Sequence, residues 1–130
     1  MSIEIWSIAA LSLMMMALTL GQGTLVPLIQ GLGWGMGSRD QMPDKTVLQA
    51  RLDRTVANQI EAMAIYIPLM GLVIALDKTN SLTSIGAWCV ITGRTAFIPL
   101  YLSGVFALRT VAFFIALAGS VIAGWTLIAG

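Results

Sequence analysis

Histidine is absent from this chain, and cysteine occurs once, at Cys89. The first absence removes imidazole general bases, Ser-His-Asp catalysis, and zinc or haem sites built on histidine. The second excludes an intrachain disulfide and any metal site built from several cysteines. Charge is scarce too. Charged residues make up 10% of the 130 residues, against roughly 25% in ordinary soluble domains. The net charge of +1 gives no basic field that would argue for nucleic acid. What fills the chain instead is hydrophobic, at 58%. A soluble domain of this size must cover a large surface with polar groups. Lipid is therefore the expected solvent.

From Ile5 to Ser38 no residue is charged. A membrane-spanning helix needs about 20 apolar residues, so residues 5–28 predict a first span. A cleaved signal peptide fits poorly, because the start carries Glu4 and the apolar run exceeds the roughly 7–15 residues of such a leader. A second span is predicted over 55–76, with Glu61 as its only charge, and a polar break at 77–81 follows. The third covers 82–104 and contains Arg94; the fourth covers 109–128. The expected fold class is all-α, a single integral membrane four-helix bundle over residues 1–130.

Loop charge sets the expected orientation. Arg39, Lys45, Arg51 and Arg54 precede the second span, and Arg109 lies on the same side. The opposite side has only Lys78. That asymmetry predicts a cytoplasmic first loop and both termini outside, in what is most simply a bacterial inner membrane. Within that loop, residues 31–37 alternate glycine with bulky residues. They lack the Gly-Lys-Ser/Thr ending of a phosphate loop, so a flexible turn is expected there. The second helix is expected to start near Pro43-Asp44, in water, and to enter the membrane near Thr55. In the fourth span Ala112, Ala116, Ser120 and Gly124 recur every fourth residue. Such a stripe of small residues lets helices approach closely in lipid.

Ionisable groups inside membrane segments are functional candidates by default. Arg51, Arg54, Asn58 and Glu61 fall within an arc of roughly 80° on one helix, and Arg94, Phe97 and Tyr101 within about 60° on the next. Arg109 opens the fourth span. An internal ion-pair network is the plain explanation, with Glu61 neutralising Arg94 or Arg54 and Asn58 bridging helices. The count is unbalanced, however. Arg51, Arg54, Arg94 and Arg109 face only Glu61 and the nearby Asp53. The surplus suits an anionic ligand, because guanidinium groups bind carboxylate or phosphate bidentately. A lipid headgroup and a soluble anionic cofactor both qualify.

The run Arg51-Leu52-Asp53-Arg54-Thr55-Val56-Ala57-Asn58-Gln59-Ile60-Glu61, followed by Tyr66 and Pro68, resembles the second-helix signature of the MAPEG family, the membrane-associated proteins in eicosanoid and glutathione metabolism. Arg94, Phe97 and Tyr101 are similar to the family's third-helix pattern, and Ala107-Leu108-Arg109-Thr110 to the start of its fourth helix. The resemblance covers nearly the whole chain. It implies a homotrimer of four-helix subunits, with glutathione bound in clefts between them and lipophilic small molecules as substrates. It places Arg54, Asn58 and Glu61 on the tripeptide and Tyr101 as a binding tyrosine. It gives Arg109 the role of stabilising the thiolate. Arg51 and Arg94 join this cofactor set through the arginine surplus. Phe97 departs from a tyrosine common in the family, and Phe113 from one found in some members.

The chemistry suits these residue types. Arginines match the two carboxylates of glutathione, and Glu61 its ammonium group. A thiol is mostly protonated at neutral pH, and a neighbouring guanidinium favours the nucleophilic thiolate. Two functions follow. One is a glutathione-dependent transferase or peroxidase acting on lipophilic electrophiles or hydroperoxides. The other is a non-catalytic membrane subunit or lipid-binding assembly module that keeps the fold. A channel or transporter fits less well, since no span shows an acidic ring or paired broken helices. No metal site is expected.

Overall fold

The computed structural model describes residues 1–40 and 44–130. These residues form helices only: α1 (Ile3–Gln30), the short α2 (Leu32–Met36), α3 (Val47–Ala75), α4 (Ser81–Ser103) and α5 (Phe106–Ala129). The four long helices are each long and apolar enough to cross a membrane. The chain is an all-helical integral membrane protein. The expected helix start at Pro43-Asp44 falls partly outside the described residues. Asp44 is not helical, and α3 begins at Val47.

Local signals explain the helix ends. Thr46 caps α3 by accepting a hydrogen bond from the Gln49 amide at 3.1 Å. Asn80 and Thr83 form a reciprocal capping box at the start of α4. The other end of α4 closes at Gly104, whose φ of 82° is left-handed. The Val105 amide reaches back to the Leu100 carbonyl at 3.0 Å and the Gly104 amide to Tyr101 at 3.1 Å. This pairing satisfies the last carbonyls of the helix. Arg51 lies across that turn, with Nη1 3.4 Å from the Leu102 carbonyl. A cation there meets the negative end of the α4 dipole.

The segment of alternating glycines is not simply a turn, because α2 occupies Leu32–Met36 and folds against α1 beside Pro27. The small-residue stripe also differs in register. The buried seam of α5 runs Ala112, Ala116, Gly119 and Ala123, with Ser120 beside it. Gly124 faces away, with only Leu69 near it. Steps of four residues drift around a 3.6-residue helix, and a mixture of four and three keeps to one face. The seam packs on Gly86, Val90 and Gly93 of α4.

The core lies between α1, α3, α4 and α5, built on Leu11, Tyr66, Met70, Val73, Ala87, Val90 and Ala123. A polar network closes it near the N-terminus. Glu4 is only 3% exposed, although the sequence placed it just outside the first span. Its carboxylate accepts from Thr83 at 2.7 Å and from Ser84 at 3.0 Å. Tyr66 and Ser7 share a hydrogen bond nearby. Trp6, Trp88 and Trp125 stand exposed at this same end of the bundle. Tryptophans favour the membrane–water boundary, so they mark one boundary of the bilayer.

Candidate functional site

The site builds from the inner face of α3. Leu52, Val56, Gln59, Tyr66, Met70 and Val73 are buried along it. Gln59 is thus a glutamine on an apolar stripe, fully buried. Across from it, α4 buries Arg94 at 1% exposure. Arg94 donates Nε and Nη2 to the Gln59 side-chain oxygen at 3.0 and 2.8 Å, and Nη1 to Asn58 at 2.6 Å. Gln59 Nε2 donates onward to the Leu11 carbonyl at 3.1 Å. One side chain therefore ties α4, α3 and α1 together. The Phe97 ring covers the guanidinium at 4.4 Å.

This differs from the expected pairing of Arg94 with Glu61. The only ion pair among the described residues joins Lys45 to Asp53. The reason is geometric. Two residues along a helix are 200° apart, so with Gln59 buried inward Glu61 is exposed, at the edge of the apolar cavity it helps to line. Arg94 is held by neutral amides, and among the described residues no carboxylate lies within 4 Å to cancel its charge.

Arg109 stands nearer the end of the bundle. Its guanidinium lies 4.3 Å from the Tyr101 ring and 5.0 Å from the Phe106 ring. Such cation–ring contacts contribute about 0.5–2 kcal/mol and fix a planar group in place. Beside it opens a recess of about 290 Å³ lined by Asn58, Phe97, Tyr101, Arg109, Thr110 and Phe113. A deeper, mostly apolar cavity of about 80 Å³ lies among α1, α3, α4 and α5. Its wall includes Asn58, Glu61, Tyr66, Arg94, Phe113 and Leu117. Asn58 and Phe113 line both spaces.

The structure thus gathers Asn58, Glu61, Arg94, Tyr101 and Arg109 around two adjoining spaces. It does not bring Arg51 or Arg54 to them. Arg51 is on the α4–α5 turn, and Arg54 is exposed on the outer side of α3. Neither Arg54 nor Glu61 has a hydrogen-bond or ion-pair partner among the described residues. Gln59 was missed by the sequence reasoning. Its signal was available, because it lies three residues from Val56 and seven from Leu52 and Tyr66, all on one face. The aromatic wall is continuous, with Phe97 5.5 Å from Tyr101 and 6.3 Å from Phe113 between ring centroids. Among the described residues no cluster of three His, Cys, Asp or Glu side chains could hold a metal ion.

Chemically, the upper recess presents one fixed guanidinium, one phenol and one amide above an apolar cavity. An anionic or polarisable group fits beside Arg109, and an apolar group fits below Asn58. These features define a helical membrane protein with a cationic, aromatic-walled recess between its helices. The MAPEG family's sequence model matches residues 5–129, and the chain belongs to that family, whose members act in glutathione and eicosanoid metabolism. No curated protein and no solved structure matches the chain.

Proposed function

We propose that this protein is a glutathione-dependent membrane transferase or peroxidase acting on lipophilic electrophiles or hydroperoxides. The observation that carries this reading is Arg109. It is held against Tyr101, has no carboxylate partner among the described residues, and faces an open recess. A thiol placed there meets a cation that favours the thiolate, which is the nucleophile. Asn58 and Tyr101 supply polar contacts to the tripeptide. Arg54 and Glu61 complete the set from the outer side of α3, where a neighbouring subunit of a homotrimer covers them. Arg94 holds Asn58 in position. Arg51 contributes through the α4–α5 turn that leads to Arg109. The apolar cavity below suits the acceptor, and the recess opens toward the cytosolic side on the loop-charge argument.

The second reading is a non-catalytic subunit that keeps the fold. Phe97 favours it, because its ring covers Arg94 and offers no hydroxyl to the recess. One experiment separates the two. Glutathione is titrated into the purified protein while thiolate absorbance and conjugation of a generic electrophile are followed. Saturable binding with thiolate formation is the expected result. Absence of binding at millimolar glutathione leaves the non-catalytic subunit.

A further inference from the structure

The elbow between α1 and α2 lies apart from the Arg109 recess and the apolar cavity, with no lining residue in common. α1 has 28 residues, which extend about 42 Å at 1.5 Å per residue, against a hydrocarbon core of about 30 Å. With Trp6 at one boundary, the last turns of α1 reach the opposite headgroup layer. Two depressions adjoin there. One, of about 430 Å³, is of mixed character, with Gln22, Arg39, Lys45, Gln49 and Asp53 beside Val26 and Trp34 in its wall. The other, of about 380 Å³, is walled by Pro27, Leu28, Leu32 and Met36. Arg39 and Gly23 line both. A space walled by charged and amide groups, next to a more apolar one at headgroup depth, suits a phospholipid.

Charge selects the headgroup. Lys45 pairs with Asp53, which also accepts from Gln22 at 3.0 Å. Arg39 donates Nε to the Gly35 carbonyl at 3.0 Å and lies 5.2 Å from the Trp34 ring. Its two terminal nitrogens have no hydrogen-bond partner among the described residues. Its φ of 58° is left-handed, a conformation uncommon outside glycine. Within the wall of this depression Lys45 and Asp53 cancel, and Arg39 leaves one positive charge, which a phosphodiester balances; Asp40 and Asp44 lie outside that wall, Asp40 accepting from Ser38 at 2.8 Å. A guanidinium binds phosphate oxygens bidentately. A choline headgroup would bring a further cation beside Arg39 and Lys45, and the one carboxylate in the wall, Asp53, is already engaged by Lys45 and Gln22.

We propose that this composite depression binds one singly anionic phospholipid per chain, its phosphodiester on Arg39 and an acyl chain along Pro27, Leu28 and Leu32. The test uses the 130-residue chain, delipidated in detergent. It is titrated with phosphatidylglycerol or with phosphatidylcholine of identical acyl chains, and bound lipid is counted by native mass spectrometry. The expected result is one phosphatidylglycerol per chain, with phosphatidylcholine about tenfold weaker or worse. Arg39→Ala should weaken phosphatidylglycerol about 10- to 150-fold, the range for a lost charge-assisted contact. Arg39→Lys should recover part of that loss, keeping the charge without the fork. Leu28→Ser should weaken both lipids equally. Arg39 and Leu28 are exposed, so these variants should unfold at the wild-type temperature when no lipid is present. Equal binding of the two headgroups overturns the proposal, as does undiminished binding by Arg39→Ala. Displacement by glycerol phosphate at the lipid's own concentration assigns the site to free phosphate and overturns it. Displacement by glutathione merges the recess with the glutathione site and also overturns it.

Discussion

The side-chain oxygen of Gln59 accepts two hydrogen bonds from Arg94, at 3.0 and 2.8 Å, inside a bundle that buries both residues. The pair places a charge in the interior and satisfies it with dipoles alone. Removing one partner of a buried charge costs about 3–5 kcal/mol, whereas replacing both partners by apolar groups is often near neutral. Gln59→Leu should therefore lower the thermal unfolding midpoint sharply. The double variant Gln59→Leu with Arg94→Met should be more stable than Gln59→Leu alone. Additive losses in that comparison would show that the two residues act independently.

Gly93 tests the seam between α4 and α5. A Cβ there would lie 2.6 Å from the Ala116 amide nitrogen and 2.7 Å from the Ala112 carbonyl oxygen. Both neighbours are backbone, so neither can swing aside. Gly93→Ala should destabilise the protein by about 1–3 kcal/mol, the range for overpacking. Gly124→Ala, with only Leu69 at 3.6 Å, should change stability by less than about 0.5 kcal/mol. Thermal unfolding of the two variants side by side checks the seam register.

Assembly follows from Arg54 and Glu61. Both are exposed on α3 and lack partners among the described residues. A charged group costs about 2.5–3.5 kcal/mol at mid-membrane on insertion scales and less near the ends of a span, where Arg54 and Glu61 lie. In the proposed homotrimer, contact between subunits would remove these groups from lipid. Detergent-solubilised protein should have a mass near three chains. A folded monomer as the sole species would argue against this. Topology is open to an equally direct check. Reporter fusions at Asn80 and Gly130 should both read as non-cytoplasmic, as the arginine and lysine distribution requires.

Much of the fold was legible because lipid simplifies the problem. Long uncharged runs must become helices there, since backbone groups find no other partners. The polar break at 77–81 and Gly104 marked two of the ends, whereas the start of α3 was expected near Pro43-Asp44 and is capped instead by Thr46. The inside of the bundle was less so. A polar arc along α3 was visible, but which flank of it faces inward depends on packing. Gln59 turned in, and Glu61 turned out with Arg54. Periodicity also proposed a stripe ending at Gly124, whereas the contact uses Gly119 and Ala123. Small residues are frequent in this helix, and only the partner surface of α4 selects among them. Glu4 read as a boundary marker because its partners, Thr83 and Ser84, are remote in sequence.

Arg109 and Arg54 allow the proposed chemistry to be separated from support of the fold. Arg109 lies against Tyr101 in the recess, and Arg54 lies on the outer side of α3. If Arg109 stabilises a thiolate, Arg109→Ala should reduce the thiolate absorbance of bound glutathione far more than it reduces binding. Arg54→Ala should do the reverse, because loss of a carboxylate partner mainly costs affinity, by roughly 10- to 150-fold. Tyr101→Phe keeps the ring beneath the guanidinium and removes only the hydroxyl. It should leave the unfolding temperature unchanged and weaken glutathione about 2- to 10-fold, the range of a neutral hydrogen bond. Were both arginines merely structural, each alanine variant would unfold at a lower temperature without glutathione. Thiolate signal and binding would then fall together in both variants, and the assignment of separate roles would fail.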